Sequence, residues 1–114
     1  MNELSNLEVI LLNGLEQKYP SLKSHIPFLK VKDREITGVG MYLNFEYVNS
    51  DGKIKFEDIN ALFSNEENIQ INNLKYGLGY VIDITDGEIK YIEFITYGES
   101  WNGIFGDYKI VKKN

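Results

Sequence analysis

The sequence predicts an α+β domain, with one N-terminal helix packed on a curved, mainly antiparallel sheet of six or seven strands. Three observations predict it. Leu4, Leu7, Leu11 and Leu15 recur at helical spacing ahead of Pro20. From residue 28 onward, β-branched and aromatic residues alternate with polar ones between glycine-marked turns. No linker, low-complexity tract or charge block divides the 114 residues, which argues for a single domain over 1–114.

The helix is predicted over 3–18. Asn2 or Ser5 can cap its start, Ser5 and Glu8 have the spacing of a capping box, and Pro20 disfavours helical geometry at Tyr19. Glu8 falls among the leucines by angle. Val9 and Ile10 fall outside the stripe, which fits a helix covered on a second side. Residues 20–27, bracketed by Pro20 and Pro27, read as a loop holding His25. Strands are predicted at 28–32, 36–48, 53–57, 68–71, 78–85, 88–97 and 108–112. Ile59, Leu62 and Phe63 follow Asp58 at helical spacing, so 58–64 reads as one or two helical turns.

Two hairpins can be registered from side-chain chemistry. Asp86-Gly87 is a type I′ turn signal, since both central residues need positive φ. A two-residue loop pairs Thr85 with Glu88 and sets Asp83 opposite Lys90, Tyr80 opposite Glu93 and Gly79 opposite Phe94. For the earlier hairpin, a four-residue loop at 49–52 sets Glu46 against Lys55, Phe45 against Phe56 and Tyr47 against Ile54. A two-residue loop would place Glu46 against Glu57, a like-charge pair.

Composition excludes several function classes. Cysteine is absent and His25 is the sole histidine, which removes disulfides, thiolate chemistry and Cys/His metal sites. No metal and no cofactor is expected. A net charge of −5 repels phosphate backbones, so nucleic acid is not an expected partner. The apolar first fifteen residues carry Glu3 and Glu8 but no Lys or Arg, and no small-residue cleavage site follows. No apolar run approaches the ~18 residues of a membrane span. A cytoplasmic protein without membrane contact is expected.

The glycine pairs at 38–40 and 77–79 open strands and lack the third glycine of a dinucleotide fingerprint, so they read as structural. Glu93 shares a predicted strand face with Ile89, Tyr91 and Ile95, and Glu99 follows beside Trp101. Two carboxylates flanking a cleft can do acid–base work on a glycoside or hold a hard cation. The competing reading is a rim Glu93 and a loop Glu99, and no residue is assigned a catalytic role. Arg34, the sole arginine, is expected to fork onto Glu93 or Glu99. Residues 97–103 combine an aromatic pair with Gly, Ser and Asn, the make-up of an adaptable contact surface. Tyr97 and Glu99 are expected to reach solvent there, with Trp101 as the anchor. Tyr97, Glu99, Trp101, Glu93 and Arg34 are thus the candidate binding residues.

The stretch Arg34-Glu35-Ile36-Thr37-Gly38-Val39-Gly40, the Gly77-Leu78-Gly79 strand start, the Asp86-Gly87 turn and Tyr97-Gly98-Glu99-Ser100-Trp101 resemble a family of small bacterial proteins. The resemblance covers about residues 34–101. It implies the fold above and no particular activity. Where that family's pattern has a proline after the tryptophan, Asn102 stands here.

The expected function is that of a binding protein rather than an enzyme. An immunity-type inhibitor that neutralises a basic partner protein fits the size and acidity, since opposite charge speeds association. The alternative is a small-molecule binder or minor enzyme with a carboxylate/tyrosine pocket at the sheet end. A third reading is a homodimer joined along an exposed strand edge.

Overall fold

The computed structural model describes residues 4–48, 52, 54 and 56–112. Helix α1 spans Asn6–Lys18 with Ser5, one of the two expected caps, at its start, so it begins later than the predicted 3–18. The Ser5 hydroxyl accepts from the Glu8 amide at 3.2 Å, and the Glu8 carboxylate accepts from the Ser5 amide at 2.8 Å. Leu7, Leu11, Leu12 and Leu15 are buried. Val9 and Ile10 are exposed, so the helix is not covered on a second side. Residues Pro20–Phe28 form a 3₁₀ helix rather than the expected loop. Pro20 sits in its first turn, where a missing N–H leaves no donor unpaired.

Seven strands follow: β1 Leu29–Ile36, β2 Gly40–Tyr47, β3 Ala61–Phe63, β4 Glu67–Ile71, β5 Leu78–Thr85, β6 Glu88–Thr96 and β7 Tyr108–Lys112. They form one antiparallel sheet in the order β1-β2-β6-β5-β4-β7, with β3 also on β5. The inner face carries Val31, Met41, Leu43, Ile69, Leu78, Ile82, Ile92 and Phe94, which join the α1 leucines in the core.

Three sequence expectations are corrected. The strand expected over 36–48 is broken at 37–39, where Gly38 has φ 92° and the chain turns from β1 into β2. β2 then pairs with β1 and β6, so both its edges are taken: Glu46 faces Lys30, Phe45 faces Val31 and Tyr47 faces Leu29. The expected partner strand at 53–57 does not form among the described residues; Ile54 lies in a bend and Phe56 and Glu57 are irregular. Asn49, Ser50, Asp51, Lys53 and Lys55 lie outside the described residues. Finally, 58–64 holds β3 and not a helical turn. Phe63 is buried and Leu62 exposed, the alternation of a strand, and pairing with β5 overrides the helical spacing.

The late hairpin has the predicted tip. Asp86 and Gly87 have φ of 52° and 79°, and Thr85 faces Glu88. The register then shifts between Asp83 and Ile84: Asp83 faces Tyr91, Val81 faces Glu93 and Tyr80 faces Phe94. Lys90 is the extra residue of a β-bulge. It pairs with Glu88 at 3.1 Å, while Asp83 accepts from the Thr85 hydroxyl at 2.7 Å. The expected Asp83–Lys90 and Tyr80–Glu93 pairs are therefore wrong by one residue. The bulge lets Ile89, Ile92 and Phe94 all point into the core, which strict alternation from Ile89 cannot do.

Gly87 is closed in by the Glu57 carbonyl, and its amide donates to Ile59 O at 2.9 Å. Gly87→Val is expected to destabilise by at least ~1–3 kcal/mol, from positive φ on a β-branched residue together with backbone overlap. A melting temperature equal to that of the parent would contradict this turn geometry.

Candidate functional site

A second bulge, at Lys32 between Val31 and Asp33, decides the fate of Arg34. Val31 points inward, and the extra residue turns Arg34 inward too, opposite Leu43. Its guanidinium meets Glu8 on α1 with two bonds of 2.6 and 2.7 Å. The Glu8 side chain has no exposed surface and that of Arg34 is 24% exposed. Arg34 thus forks onto Glu8, not onto Glu93 or Glu99 as expected. With the Ser5 amide as a third donor, the buried carboxylate is fully paired.

The bulge at Lys90 has the converse effect on Glu93. It leaves the apolar face assumed from alternation and stands on the outward face, between Tyr42 of β2 and Val81 of β5. A hydrogen bond to Glu93, together with its charge, pushes the Tyr42 phenol above its ordinary range. Partial burial, then the charge of Asp83, pushes up the Tyr91 phenol. The Tyr42 and Tyr91 rings meet edge to face at 5.4 Å. Beside them, the Asn44 amide donates to Asp33 at 2.7 Å and to Glu35 at 2.8 Å. Four carboxylates and two phenols thus share one outward stripe across β1, β2, β6 and β5. Sequence reasoning misses Tyr42, Asp33 and Glu35 because it pairs their strand with 53–57 and not with β6, and it misses the Asp83–Tyr91 contact because of the bulge. The odd spacing of Ile89, Ile92 and Phe94 was the available signal.

Residues 97–103 fold back on the sheet end. Trp101 is 5% exposed, packs against Phe94 and Phe105, and donates from Nε1 to Ile104 O at 3.1 Å. Its amide donates to Gly38 O at 2.8 Å, tying the loop to the β1–β2 turn. Thr96 Oγ1 lies 2.7 and 2.8 Å from the carbonyls of Val39 and Glu99, one of which takes its proton. Tyr97 is 46% exposed, and its hydroxyl lies over Gly79, the place expected for Phe94. Glu99 accepts from the amides of Lys75 and Tyr76 at 2.8 and 2.9 Å, so it pins the β4–β5 connection.

The five sequence candidates therefore part company. Tyr97 and Glu93 reach the outward surface, Glu99 clamps a turn, Trp101 belongs to the core and Arg34 to the ion pair. Two surface hollows flank the turn that Glu99 holds, one of about 720 Å³ and one of about 480 Å³. Glu93 and Arg34 line neither, so no carboxylate–guanidinium pocket forms there. Among the described residues, no group of three or more His, Asp or Glu gathers to hold a metal ion, and no helix is long and apolar enough to cross a membrane.

His25, expected as an exposed or half-buried loop residue, is 1% exposed and lies in the 3₁₀ helix. Its Nδ1 lies 2.9 Å from the Tyr47 hydroxyl, which accepts from the Ile89 amide at 3.0 Å, and Phe56 packs edge-on to both rings. Burial pushes the Tyr47 and Tyr80 phenols up from 10 to about 12. A phenol whose pKa is raised on folding contributes stability fully below its unfolded value and loses it as pH rises toward the folded one. Resistance to urea is expected to hold below pH 10 and to fall between pH 10 and about 12. Tyr80→Phe is expected to flatten that fall in denaturation curves recorded across the window. An unchanged slope would count against Tyr80 as a source.

No protein-family model matches the chain, and no curated protein or solved structure matches it.

Proposed function

We propose that the chain is a cytoplasmic bacterial binding protein without catalysis, of the immunity type, which holds a basic partner protein against the outward face of its sheet. The observation that carries this reading is the stripe of Tyr42, Tyr91, Glu93, Asp83, Glu35 and Asp33, with Tyr97 at its end. Tyrosine supplies large, rigid contact area at low entropic cost, and interfaces are enriched in it. The carboxylates give the face the sign that steers a basic partner, in keeping with the net charge of −5. The phenols and Asn44 already hold these carboxylates in place, so little ordering remains for the moment of binding.

The test is affinity capture on the immobilised chain, followed by kinetics with the captured protein. Tyr42→Ala combined with Glu93→Gln is expected to weaken binding by at least ~2 kcal/mol, the hot-spot threshold, with the melting temperature nearly unchanged. Association is expected to slow as salt rises. A stable double variant with undiminished affinity and a salt-independent on-rate would remove the outward face from the reading.

A further inference from the structure

We propose that the larger hollow, at the sheet end where β4, β5 and β7 meet, is a binding site for an oligosaccharide. This inference is independent of the partner surface above. The hollow of about 720 Å³ is lined by Asn68, Gln70, Asn72, Tyr76, Asp107 and Lys109, among others. Asn68 and Gln70 alternate along β4 with the buried Ile69 and Ile71, so both side chains leave the same side of the strand, from Cα atoms about 7 Å apart. Lys109 stands opposite Gln70 on β7.

The backbone wall of the hollow is tied to its neighbours. Leu74 is buried in the core, and its amide donates to Ile71 O at 3.2 Å. Glu99 fixes the Lys75 and Tyr76 amides from behind. Gly77, at φ 76°, packs so closely on β4 that a Cβ there would meet the Asn68 amide at 2.5 and 2.9 Å. Sites held this way lose little freedom when a ligand arrives.

The fold leaves the Asn68 amide underused. Its Nδ2 makes one long bond, 3.5 Å, to Tyr76 O, and its Oδ1 accepts no hydrogen bond although solvent does not reach it. A desolvated acceptor without a donor is unfavourable, and a ligand hydroxyl supplies the donor once the amide turns outward.

The lining selects the ligand class. Three side-chain amides each offer donors and an acceptor, which matches hydroxyls, groups that also do both. Tyr76 and Tyr108 both line the hollow; the Lys75 ammonium lies 5.3 Å from the Tyr76 ring centroid on one side, and an aromatic face left uncovered suits the C–H side of a pyranose. Lys75 and Lys109 are partly offset by Asp107, so no single charge dominates. A phosphate group would want free backbone N–H donors, and Glu99 already takes two of those in this turn. An apolar ligand would leave the amides unpaired.

The experiment is titration of the isotope-labelled chain with cellotriose and with triacetylchitotriose, following backbone amide resonances. At least one trisaccharide is expected to shift residues 68–77 and 107–109 saturably. Gln70→Ala with Tyr76→Ala is expected to weaken that binding by roughly tenfold or more at an unchanged melting temperature. Asn72→Ala, in the exposed turn, gives a second variant should the double one prove unstable. Tyr42→Ala with Glu93→Gln is expected to leave the titration untouched, which separates this site from the partner surface. Absence of saturable shifts with both sugars, shifts centred elsewhere, or undiminished affinity in the hollow variants would overturn the proposal.

Discussion

Arg34→Ala is expected to lower the stability of the chain by about 3–5 kcal/mol, the range for removing one partner from a buried ion pair. The side-chain burial is unequal, and that sets the direction of the asymmetry. Without Arg34, Glu8 keeps a carboxylate with no exposed surface, with the Ser5 amide as its remaining donor among the described residues. Without Glu8, Arg34 is still 24% exposed and can turn part of its guanidinium to water. Arg34→Ala is therefore expected to be more damaging than Glu8→Gln, which also keeps a capping-box acceptor for Ser5. Arg34→Lys is expected to recover only part of the loss, because an ammonium cannot reproduce the two parallel bonds to both carboxylate oxygens. The joint replacement Glu8→Leu with Arg34→Met is expected to lie much closer to the parent than Arg34→Ala does. Urea denaturation of all four proteins checks the order. A loss below about 1 kcal/mol for Arg34→Ala, the size of an ordinary surface pair, would show that the bridge does not hold α1 to the sheet.

Trp101→Ala is expected to cost about 3–5 kcal/mol, as truncation of a buried large aromatic does. Its ring centroid lies 6.4 Å from that of Phe94 and 5.5 Å from that of Phe105, so two aromatic rings would line the cavity that alanine leaves. The indole N–H also satisfies the Ile104 carbonyl. Trp101→Phe separates the two effects. It keeps most of the packing and is expected to cost about 1–2 kcal/mol, much of it from the unpaired carbonyl. Since Trp101 is the only tryptophan, circular dichroism rather than fluorescence gives the stability of both variants. A Trp101→Ala protein within 1 kcal/mol of the parent would mean that the 97–103 loop packs loosely and that Trp101 is available for recognition.

The sequence by itself determined the local structure wherever neighbours in the chain decide it. The Ser5–Glu8 capping box and the leucine stripe specified α1, because both depend on residues three and four apart. Asp86-Gly87 specified the hairpin tip, because positive φ at two successive positions is a property of those residues. β5 and β7 were legible to the residue from alternation between turn signals. The aromatic–glycine composition of 97–103 marked a special loop and its anchor, though not the clamping role of Glu99, whose partners lie more than twenty positions away.

Only the tertiary structure decided which side of the sheet the candidate residues occupy. Side chains alternate with a period of two, so a single bulge reverses every assignment beyond it. The bulge at Lys32 turns Arg34 inward to the Glu8 of α1, and the bulge at Lys90 turns Glu93 outward to Tyr42. Each insertion is fixed by long-range packing: the first by α1 above β1, the second by the need to bury Ile89 together with Ile92 and Phe94. The same cause explains the missing strand at 53–57 and the unexpected one at Ala61–Phe63. β1 and β6 occupy the two edges of β2, and β5 has an edge open to β3, a competition that local propensity does not register.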